Sequence, residues 1–199
     1  MLIENLFPEP VGVFSLNRVL TQNETDCVDF KLKTLTKNIG NNTSADTFVL
    51  DSNELSGLKV FFLDSLNEFT KLIYGKQINL RITQSWLNIS TKSQFHHPHS
   101  HPNSFVSGVF FVKSDESDKI QFIKSIVNTS FDTHIETFNL WNSGTWWLPA
   151  TEGSLVLFKS TQQHEVPPTT SQKRISLSFN TFFDQSIGDV KKLTFLPLV

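Results

Sequence analysis

The sequence predicts an α+β fold, with two N-terminal helices followed by a jelly-roll core of about eight short strands. The first observation behind this prediction is composition, because the chain holds 19 phenylalanines while alanine occurs only at Ala45 and Ala150. Aromatic residues favour sheets, whereas helical bundles rely on alanine and leucine. The second observation is the spacing of apolar residues, which is three or four before Gly75 and two after it.

Two helices are predicted before Gly75. The first begins near Asn23, which can cap it, and runs to about Leu35. The second follows a cap at Ser52 and stops at Gly75, a residue suited to the position just past a helix end. Residues 38–47 between them are predicted as a loop from their composition. The apolar stripe of the second helix has core spacing and consists of Leu58, Phe62, Leu66, Phe69 and Ile73.

The remaining pattern predicts strands. Residues 6–14 read as an edge strand, because their prolines cannot donate to a central ladder. Residues 108–112 and 119–122 are predicted to pair as a hairpin across an exposed turn at 114–118. Further strands are expected at Ile78–Ile82 continuing through Asn88, and at His134–Phe138, Thr145–Leu148, Ser154–Phe158 and Arg174–Phe182.

The bulk properties exclude several classes of protein. A chain of 199 residues fits one domain, in which we expect an N-terminal strand and helices (1–76), a β-rich core (77–185) and a tail (186–199). The net charge is −2 and no stretch of the sequence concentrates Lys and Arg, which argues against a nucleic-acid-binding surface. No apolar run is long enough for a membrane span. Cys27 is the only cysteine, so no internal disulfide forms. We expect a cytoplasmic protein.

A cluster of histidines between residues 96 and 101 is the most informative segment. In an extended strand, residues two apart point to one face, so His99 and His101 can converge on one metal ion. His97 and His99 have the same spacing, and spacing alone does not choose between the two pairs. The alternative is a solvated histidine-rich loop that binds metals adventitiously.

A second polar set lies downstream, where His164 is predicted in a short turn. Arg174 follows, and in a strand it shares one face with Ser176 and Ser178. An arginine and two hydroxyls facing the inside of a small barrel are costly unless they bind a ligand. A guanidinium can grip a carboxylate with two parallel hydrogen bonds. The alternative places Arg174 on the outer face, paired with an acid such as Asp184.

These motifs, taken in order, resemble the 2-oxoglutarate/Fe(II)-dependent oxygenase superfamily, and within it a subgroup distantly similar to prolyl hydroxylases. The likeness extends from residue 6 to about 183 and is strongest across 99–104 and 107–112. It closes on residues 152–158, His164 and residues 174–180. The ordered set of His-x-His, a distal histidine and Arg-x-Ser ten residues later is much more specific than any single part.

The resemblance implies an enzyme, a 2-oxoglutarate-dependent dioxygenase that hydroxylates an unidentified substrate such as a protein side chain. The implied fold is a double-stranded β-helix (jelly roll) core with the N-terminal helices packed on one sheet. Fe(II) would be held by His99, His101 and His164 at one mouth of the barrel. Arg174 with Ser176 would bind the far carboxylate of 2-oxoglutarate, and Asn88 would assist.

The resemblance also concerns three tryptophans and the partners of the enzyme. Trp86, Trp146 and Trp147 are candidates for the cavity wall, but we expect at least two of them to pack in the core. 2-Oxoglutarate and dioxygen would be the co-substrates. The sequence identifies neither the primary substrate nor the oligomeric state, and a homodimer is compatible with it.

One feature of the motif departs from the superfamily pattern. The superfamily normally uses two histidines and a carboxylate, and His101 stands where the carboxylate is expected. A neutral imidazole there raises the net charge of the iron centre by one unit. Two alternatives therefore stay open, namely a three-histidine dioxygenase without 2-oxoglutarate and a non-catalytic jelly-roll module that holds a structural ion. Arg174 and Ser176 favour the 2-oxoglutarate hypothesis.

Overall fold

The computed structural model describes residues 1–124 and 134–198, which form two antiparallel β-sheets and two α-helices. The helices are α1 (Gln22–Lys31) and α2 (Ser56–Tyr74), and α2 is preceded by short 3-10 turns at Val49–Asp51 and Asn53–Leu55. The strands are β1 (Val11–Ser15), β2 (Leu35–Lys37), β3 (Asn42–Ser44), β4 (Leu80–Ser90), β5 (His96–His99), β6 (Val106–Lys113), β7 (Lys119–Ile123), β8 (Thr145–Pro149), β9 (Ser154–Lys159), β10 (His164–Val166) and β11 (Arg174–Phe183).

The strands divide into a large and a small sheet. The large sheet has the order β1-β9-β6-β11-β4-β3-β2, and the small sheet has the order β5-β10-β7-β8. The predicted α+β class is confirmed. No helix in the described parts of the chain combines the length and apolar character needed to cross a membrane.

One face of the large sheet packs against α2. Helix residues Leu58, Phe62 and Leu66 are buried in one apolar cluster with Leu177 and Phe179 of β11. The rings of Phe62 and Phe179 stack with centroids 5.1 Å apart. The amphipathic stripe predicted for the second helix is therefore a core contact.

The other face of the large sheet packs against the small sheet. Phe111 of β6 and Phe158 of β9 share a second apolar cluster with Ile120 and Phe122 of β7. Directly paired residues of neighbouring strands point to the same face of a sheet. Ser176 of β11 pairs with Phe111 of β6 and with Asn88 of β4, so both polar side chains also point between the sheets. This arrangement places Arg174, Ser176, Ser178 and Asn88 inside.

Both helices begin at positions other than the predicted caps. Thr21, not Asn23, caps α1, because its hydroxyl accepts from the Glu24 backbone N–H (3.2 Å) while the Glu24 carboxylate accepts from the Thr21 N–H (2.8 Å). Ser52 precedes a 3-10 turn and its side chain makes no cap hydrogen bond. The predicted stop at Gly75 is confirmed by its left-handed conformation, φ 68°.

The loop predicted at 38–47 and the strand predicted at 134–138 are wrong in part or whole, and the predicted edge strand begins later than expected. Residues 38–47 are not all loop, since β3 lies among them and pairs with β2 and with the long strand β4. Residues 134–138 contain no strand. The edge-strand prediction is confirmed for β1, which among the described strands pairs only with β9, but the strand begins at Val11 after the prolines.

The predicted hairpin of β6 with β7 does not form. β6 is buried along most of its length and pairs with β9 and β11 in the large sheet. β7 pairs with β10 and β8 in the small sheet. Residues 114–118 therefore carry the chain from one sheet to the other, a crossing that alternation along each strand does not reveal.

Candidate metal centre

Two neighbouring histidines, His99 and His101, converge with the distant His164 at one end of the small sheet. His99 ends β5 and pairs in register with His164, which opens β10 rather than lying in a turn as predicted. His101 follows two residues after β5. One ring nitrogen from each of the three histidines lies within 4.8 Å of the other two. The Nε2 atoms of His101 and His164 are 3.4 Å apart.

Backbone carbonyls fix the orientation of two of these rings. Nδ1–H of His99 donates to the carbonyl of His97 at 2.7 Å, and Nδ1–H of His164 donates to the carbonyl of Gln162 at 3.1 Å. A neutral imidazole that donates through Nδ1 keeps its lone pair on Nε2. Both rings can therefore offer Nε2 as a metal ligand, in the manner of histidines held by a hydrogen bond behind the ligating atom.

The loop after β5 is tied to the neighbouring strands, and this tie positions His101. The backbone N–H of His101 donates to the carbonyl of Ser160 at 2.9 Å. The Ser160 hydroxyl bonds to the hydroxyls of Ser104 (2.7 Å) and Ser107 (2.8 Å). The ring of Trp86 lies against His101, with centroids 5.9 Å apart. The polar network thus fixes the loop on one side, and an aromatic ring packs on the other.

Burial keeps the cluster neutral when no ion is bound. Desolvation, with the neighbouring histidines, lowers the pKa of His164 to about 3 and that of His101 to about 4. The pKa of His99 is also lowered by burial. His96 stacks on His99 with centroids 4.4 Å apart, and burial lowers its pKa to about 3. Neutral imidazoles are the form that binds metal ions.

The structure brings His101, and not His97, to the cluster. The His97 ring lies beside His99 with centroids 5.2 Å apart, but its nitrogens are not in the converging set. Its Nδ1 is buried without a hydrogen-bond partner among the described residues. Its contribution to the cluster is the backbone carbonyl that holds His99.

Arg174 lies inside the protein, between the sheets. It is 4% exposed, and its guanidinium lies 5.7 Å from the ring centre of Phe111. Its Nη1 atom is buried and has no hydrogen-bond partner in the described part of the chain. None of the five ion pairs between described residues includes Arg174, so pairing with Asp184 on the outer face is excluded.

The buried carboxylate of Asp118 acts on the charge of Arg174, and the sequence analysis did not predict its burial. The residue was predicted in an exposed turn, but it is only 3% exposed. Its carboxylate accepts from the hydroxyls of Thr169 (2.5 Å) and Ser171 (2.6 Å) and from the Asp115 N–H (2.9 Å). Burial lowers the pKa of Arg174 to about 10, and the charge of Asp118 opposes this shift without forming a contact pair.

Asn88 completes the polar set on this face. Its amide group donates to the Ser178 hydroxyl at 2.9 Å and lies 3.5 Å from the hydroxyl of Ser176, its partner in register. The Asn88 Oδ1 atom is buried and unpartnered among the described residues. Within the described residues, the interior between the sheets therefore contains a guanidinium nitrogen and an amide oxygen that lack the hydrogen-bond partners buried polar groups normally have.

The tryptophans differ from their predicted places. Trp86 is half-buried beside His101, whereas Trp146 is 41% and Trp147 is 53% exposed. The expectation that at least two of the three pack in the core is therefore wrong. Both exposed rings belong to β8, one of the two edge strands of the small sheet.

Comparison with known proteins supports the resemblance. Residues 84–180 match a family model described as a putative 2OG-Fe(II) oxygenase. The matched range contains the three histidines and Arg174, and the resemblance to the 2-oxoglutarate/Fe(II)-dependent oxygenase superfamily is confirmed. No curated protein matches the chain.

Solved structures show the same fold at low identity. A 2OG-Fe(II) oxygenase family oxidoreductase from Burkholderia pseudomallei has a TM-score of 0.59 and 12% identity, with 86% of this chain and 84% of that chain covered. A prolyl-4-hydroxylase from Pseudomonas putida has a TM-score of 0.56 and 12% identity, with 86% of this chain and 92% of that chain covered. The epimerase SnoN, in complex with Fe3+, α-ketoglutarate and nogalamycin RO, has a TM-score of 0.57 and 10% identity. The match covers 88% of this chain and 79% of that chain.

Proposed function

We propose that this chain is a single oxygenase domain that uses Fe(II) and 2-oxoglutarate. In this proposal His99, His101 and His164 hold the iron, and Arg174 with Ser176 and Asn88 holds 2-oxoglutarate. The observation that carries the proposal is the combination of a converging histidine triad with a buried guanidinium that has no contacting acid among residues 1–124 and 134–198. The two sheets would be the halves of a double-stranded β-helix, with the triad at one open end.

The triad fits a divalent metal ion. Imidazole nitrogens bind such ions at about 2.0–2.1 Å, so two nitrogens on one ion lie about 3–3.4 Å apart. The 3.4 Å separation of the His101 and His164 Nε2 atoms falls in that range, and all three ligand atoms lie within 4.8 Å of one another. Imidazole is a ligand that suits iron as well as zinc and copper. Three protein ligands leave coordination positions open, whereas a structural site is normally closed by four.

The polar face of β11 and β4 fits a dicarboxylate. A buried guanidinium without hydrogen bonds is costly, and a carboxylate can satisfy it with two parallel bonds. The Asn88 amide N–H and the Ser176 hydroxyl lie on the same face and would be the further donors to the ligand. Phe111 beneath the guanidinium excludes water from one side of it, which strengthens any charge-assisted bond formed there.

When bound, iron and 2-oxoglutarate supply the oxidising chemistry, in which dioxygen converts 2-oxoglutarate to succinate and carbon dioxide and oxidises a substrate C–H bond. The protein's own residues prepare the site. The carbonyls of His97 and Gln162 orient the ligating rings, and Phe158 packs on His164 with centroids 4.5 Å apart, shielding it from water. Arg174 orients the co-substrate through its distal carboxylate.

Hydroxylation is the reaction proposed, with a protein side chain as one candidate substrate. The Pseudomonas putida neighbour is named as a prolyl-4-hydroxylase, which supports that choice. The SnoN neighbour is named as an epimerase. The fold therefore accommodates more than one reaction at the substrate, and the likeness to the prolyl-4-hydroxylase favours hydroxylation.

A three-histidine dioxygenase that uses no 2-oxoglutarate is the second candidate. It is favoured by one observation, namely that no carboxylate joins the histidine triad within residues 1–124 and 134–198. An all-imidazole site carries one more positive charge than the usual set of two histidines and a carboxylate. Arg174 distinguishes the candidates, because this second function gives its unpaired Nη1 no partner.

The experiment that tests the proposal measures succinate. Purified protein is incubated with Fe(II), 2-oxoglutarate and dioxygen, and succinate is quantified by mass spectrometry beside metal-free and His164→Ala controls. We expect succinate above both controls, together with metal-dependent binding of 2-oxoglutarate. Oxygen uptake that depends on metal but not on 2-oxoglutarate would support the second candidate and refute the first.

A further inference from the structure

We infer that Trp146 binds the primary substrate of the proposed oxygenase, and that the part of the substrate it contacts is an uncharged, C–H-rich ring or aliphatic group. This inference rests on the proposed function and deepens it by naming a substrate-contacting residue and a substrate class.

Trp146 stands in register with the candidate metal ligands. His99 of β5 pairs with His164 of β10, His164 pairs with Phe122 of β7, and Phe122 pairs with Trp146 of β8. One row therefore crosses the whole small sheet, from the triad to the edge strand. Strands lie about 4.8 Å apart, which puts the backbone of Trp146 about 10 Å from that of His164. A substrate of ordinary size spans that distance.

The Trp146 side chain faces the inside of the protein, the same side as the triad. Directly paired residues share a face, and the ring of its partner Phe122 lies 5.3 Å from Phe158 and 6.2 Å from His164. Leu148, two residues further along β8, packs against the cluster between the sheets. Alternation along the strand gives Trp146 the same side as Leu148.

The exposure of Trp146 is unusual for this row. His164 is 3% and Phe122 is 8% exposed, but Trp146 at the end of the row is 41% exposed. A large aromatic surface left open beside a candidate active site is available to a ligand. The row thus passes from buried groups at the metal end to an open ring at the edge.

The adjacent Trp147 provides a contrast. It points to the opposite, outer face, where its partner in register, Gln121, bonds to Glu165 at 2.8 Å. The ammonium group of Lys119 lies 5.3 Å from the Trp147 ring centre, so this ring has a cation–π partner. The contact with Lys119 on the outer face explains the position of the Trp147 ring. By contrast, no described residue makes an aromatic or cation–π contact with Trp146.

The chemistry of the row selects the substrate class. Beyond the histidines, the row consists of Phe122 and Trp146, and it offers no carboxylate, ammonium or guanidinium to pair with a charged group. Aromatic faces favour stacking and contact with C–H groups. A charged group would lose hydration over this row without compensation. We therefore expect the row to bind an uncharged ring or aliphatic group more tightly than a charged group.

The test uses Mn(II)-loaded protein with 2-oxoglutarate and a fixed set of probes. The neutral probes are indole, cyclohexanol and N-acetylpyrrolidine, and the charged probes are benzoate and benzylammonium. Binding is followed by the relaxation that protein-bound Mn(II) causes in the probe protons, which reports both affinity and proximity to the metal. The variants are Trp146→Ala, Trp146→Phe and, as the matched control, Trp147→Ala.

We expect the neutral probes to bind near the metal and to bind more tightly than the charged ones. Trp146→Ala should weaken the neutral probes about ten-fold, since a lost aromatic contact and its buried area are of that order. Trp146→Phe should retain most of the affinity, and Trp147→Ala should match the wild type. The inference is overturned if no neutral probe is relaxed in the wild type, if Trp146→Ala binds as the wild type does, or if both alanine variants lose equally.

Binding of Mn(II) and of 2-oxoglutarate is measured first on the same samples. Failure of either in the wild type would overturn the proposed function, and the present inference with it. If both bind and the neutral probes do not, the inference about Trp146 alone is overturned. Thermal unfolding of each variant shows whether a lost signal comes from a misfolded protein.

Discussion

The Nε2 atoms of His101 and His164 lie 3.4 Å apart, although 63 residues separate the two histidines in the chain. The register of β5 with β10 brings His164 beside His99, and the hydrogen bond from the His101 N–H to the Ser160 carbonyl holds the loop after β5. Nδ1 of His164 is engaged with the Gln162 carbonyl, so its Nε2 lone pair faces the neighbouring ring. A cation between the rings would turn this close approach into a favourable one.

The first prediction concerns that cation. His164→Ala should weaken Fe(II) or Mn(II) binding by more than the ten- to hundred-fold that is typical of residues behind the ligands. The physical reason is the loss of one of three ligands from a site with no described substitute. Anaerobic equilibrium dialysis with metal analysis measures the affinity.

His97→Ala is the matched control for the metal prediction. Its ring lies beside that of His99, but the hydrogen bond to His99 comes from its backbone carbonyl, which alanine keeps. We expect near wild-type metal affinity from this variant. Equal losses in His97→Ala and His164→Ala would show that the ligand assignment is wrong.

A second prediction concerns Asp118, whose buried carboxylate joins the start of β7 to the segment before β11. Asp118→Asn should lower the free energy of unfolding by about 2–3 kcal/mol at pH 7, because charge-assisted hydrogen bonds from Thr169 and Ser171 are weakened. Urea denaturation measures the change. Asp115→Asn is the control, because Asp115 is exposed and the bond to Asp118 comes from its backbone N–H.

The same carboxylate gives a pH dependence with a definite sign. Burial raises the pKa of Asp118, but the hydrogen bonds from Asp115, Ser171 and Thr169 outweigh it and the pKa is lowered. Its contribution to stability is therefore complete above the pKa of an unfolded aspartate, about 3.9, and is lost as the pH falls through the lower folded pKa. The difference in the free energy of unfolding between the wild type and Asp118→Asn should therefore shrink as the pH falls. A difference that stays constant to pH 2.5 would contradict this account.

A third prediction concerns the packing of α2 on the large sheet. A methyl group at Gly108 would lie 2.3 Å from the Phe179 ring, so Gly108→Ala should lower stability by about 1–3 kcal/mol through overpacking. Gly57→Ala is the control, since the nearest atoms there are 3.6 Å away and alanine favours a helix. Thermal unfolding should shift downward for the first variant and not for the second. A stabilised Gly108→Ala protein would show that the sheet and helix are less tightly packed than described.

Local patterns in the sequence predicted most of the fold and part of the site. The helical stripe around Phe62, the stop at Gly75 and the shared face of Arg174, Ser176 and Ser178 follow from spacing and alternation alone, and the structure agrees with them. Alternation did not decide whether that face points inward or outward. The choice of His101 over His97 came from family likeness, because both pairs satisfy strand spacing.

The features that sequence reasoning missed depend on contacts between distant segments. Asp118 looks like a surface residue beside Asp115 and Glu116, and it is buried because Thr169 and Ser171 come to it from a segment about 50 residues away. The crossing of the chain between sheets after β6 likewise leaves no local signal. The row from His99 to Trp146 exists only once the register of β5, β10, β7 and β8 is known.

The central claim is that one chain binds both a metal ion at the histidine triad and 2-oxoglutarate at Arg174. Calorimetric titration of Mn(II)-loaded protein with 2-oxoglutarate tests it most directly, with Arg174→Ala beside Arg81→Ala, an exposed arginine on β4. Since charge-assisted hydrogen bonds contribute roughly 1.5–3 kcal/mol, we predict binding in the wild type and in Arg81→Ala, and at least about ten-fold weaker binding in Arg174→Ala with Mn(II) affinity unchanged. Absence of binding by the wild type at millimolar 2-oxoglutarate, or equal affinity in Arg174→Ala, would contradict the claim.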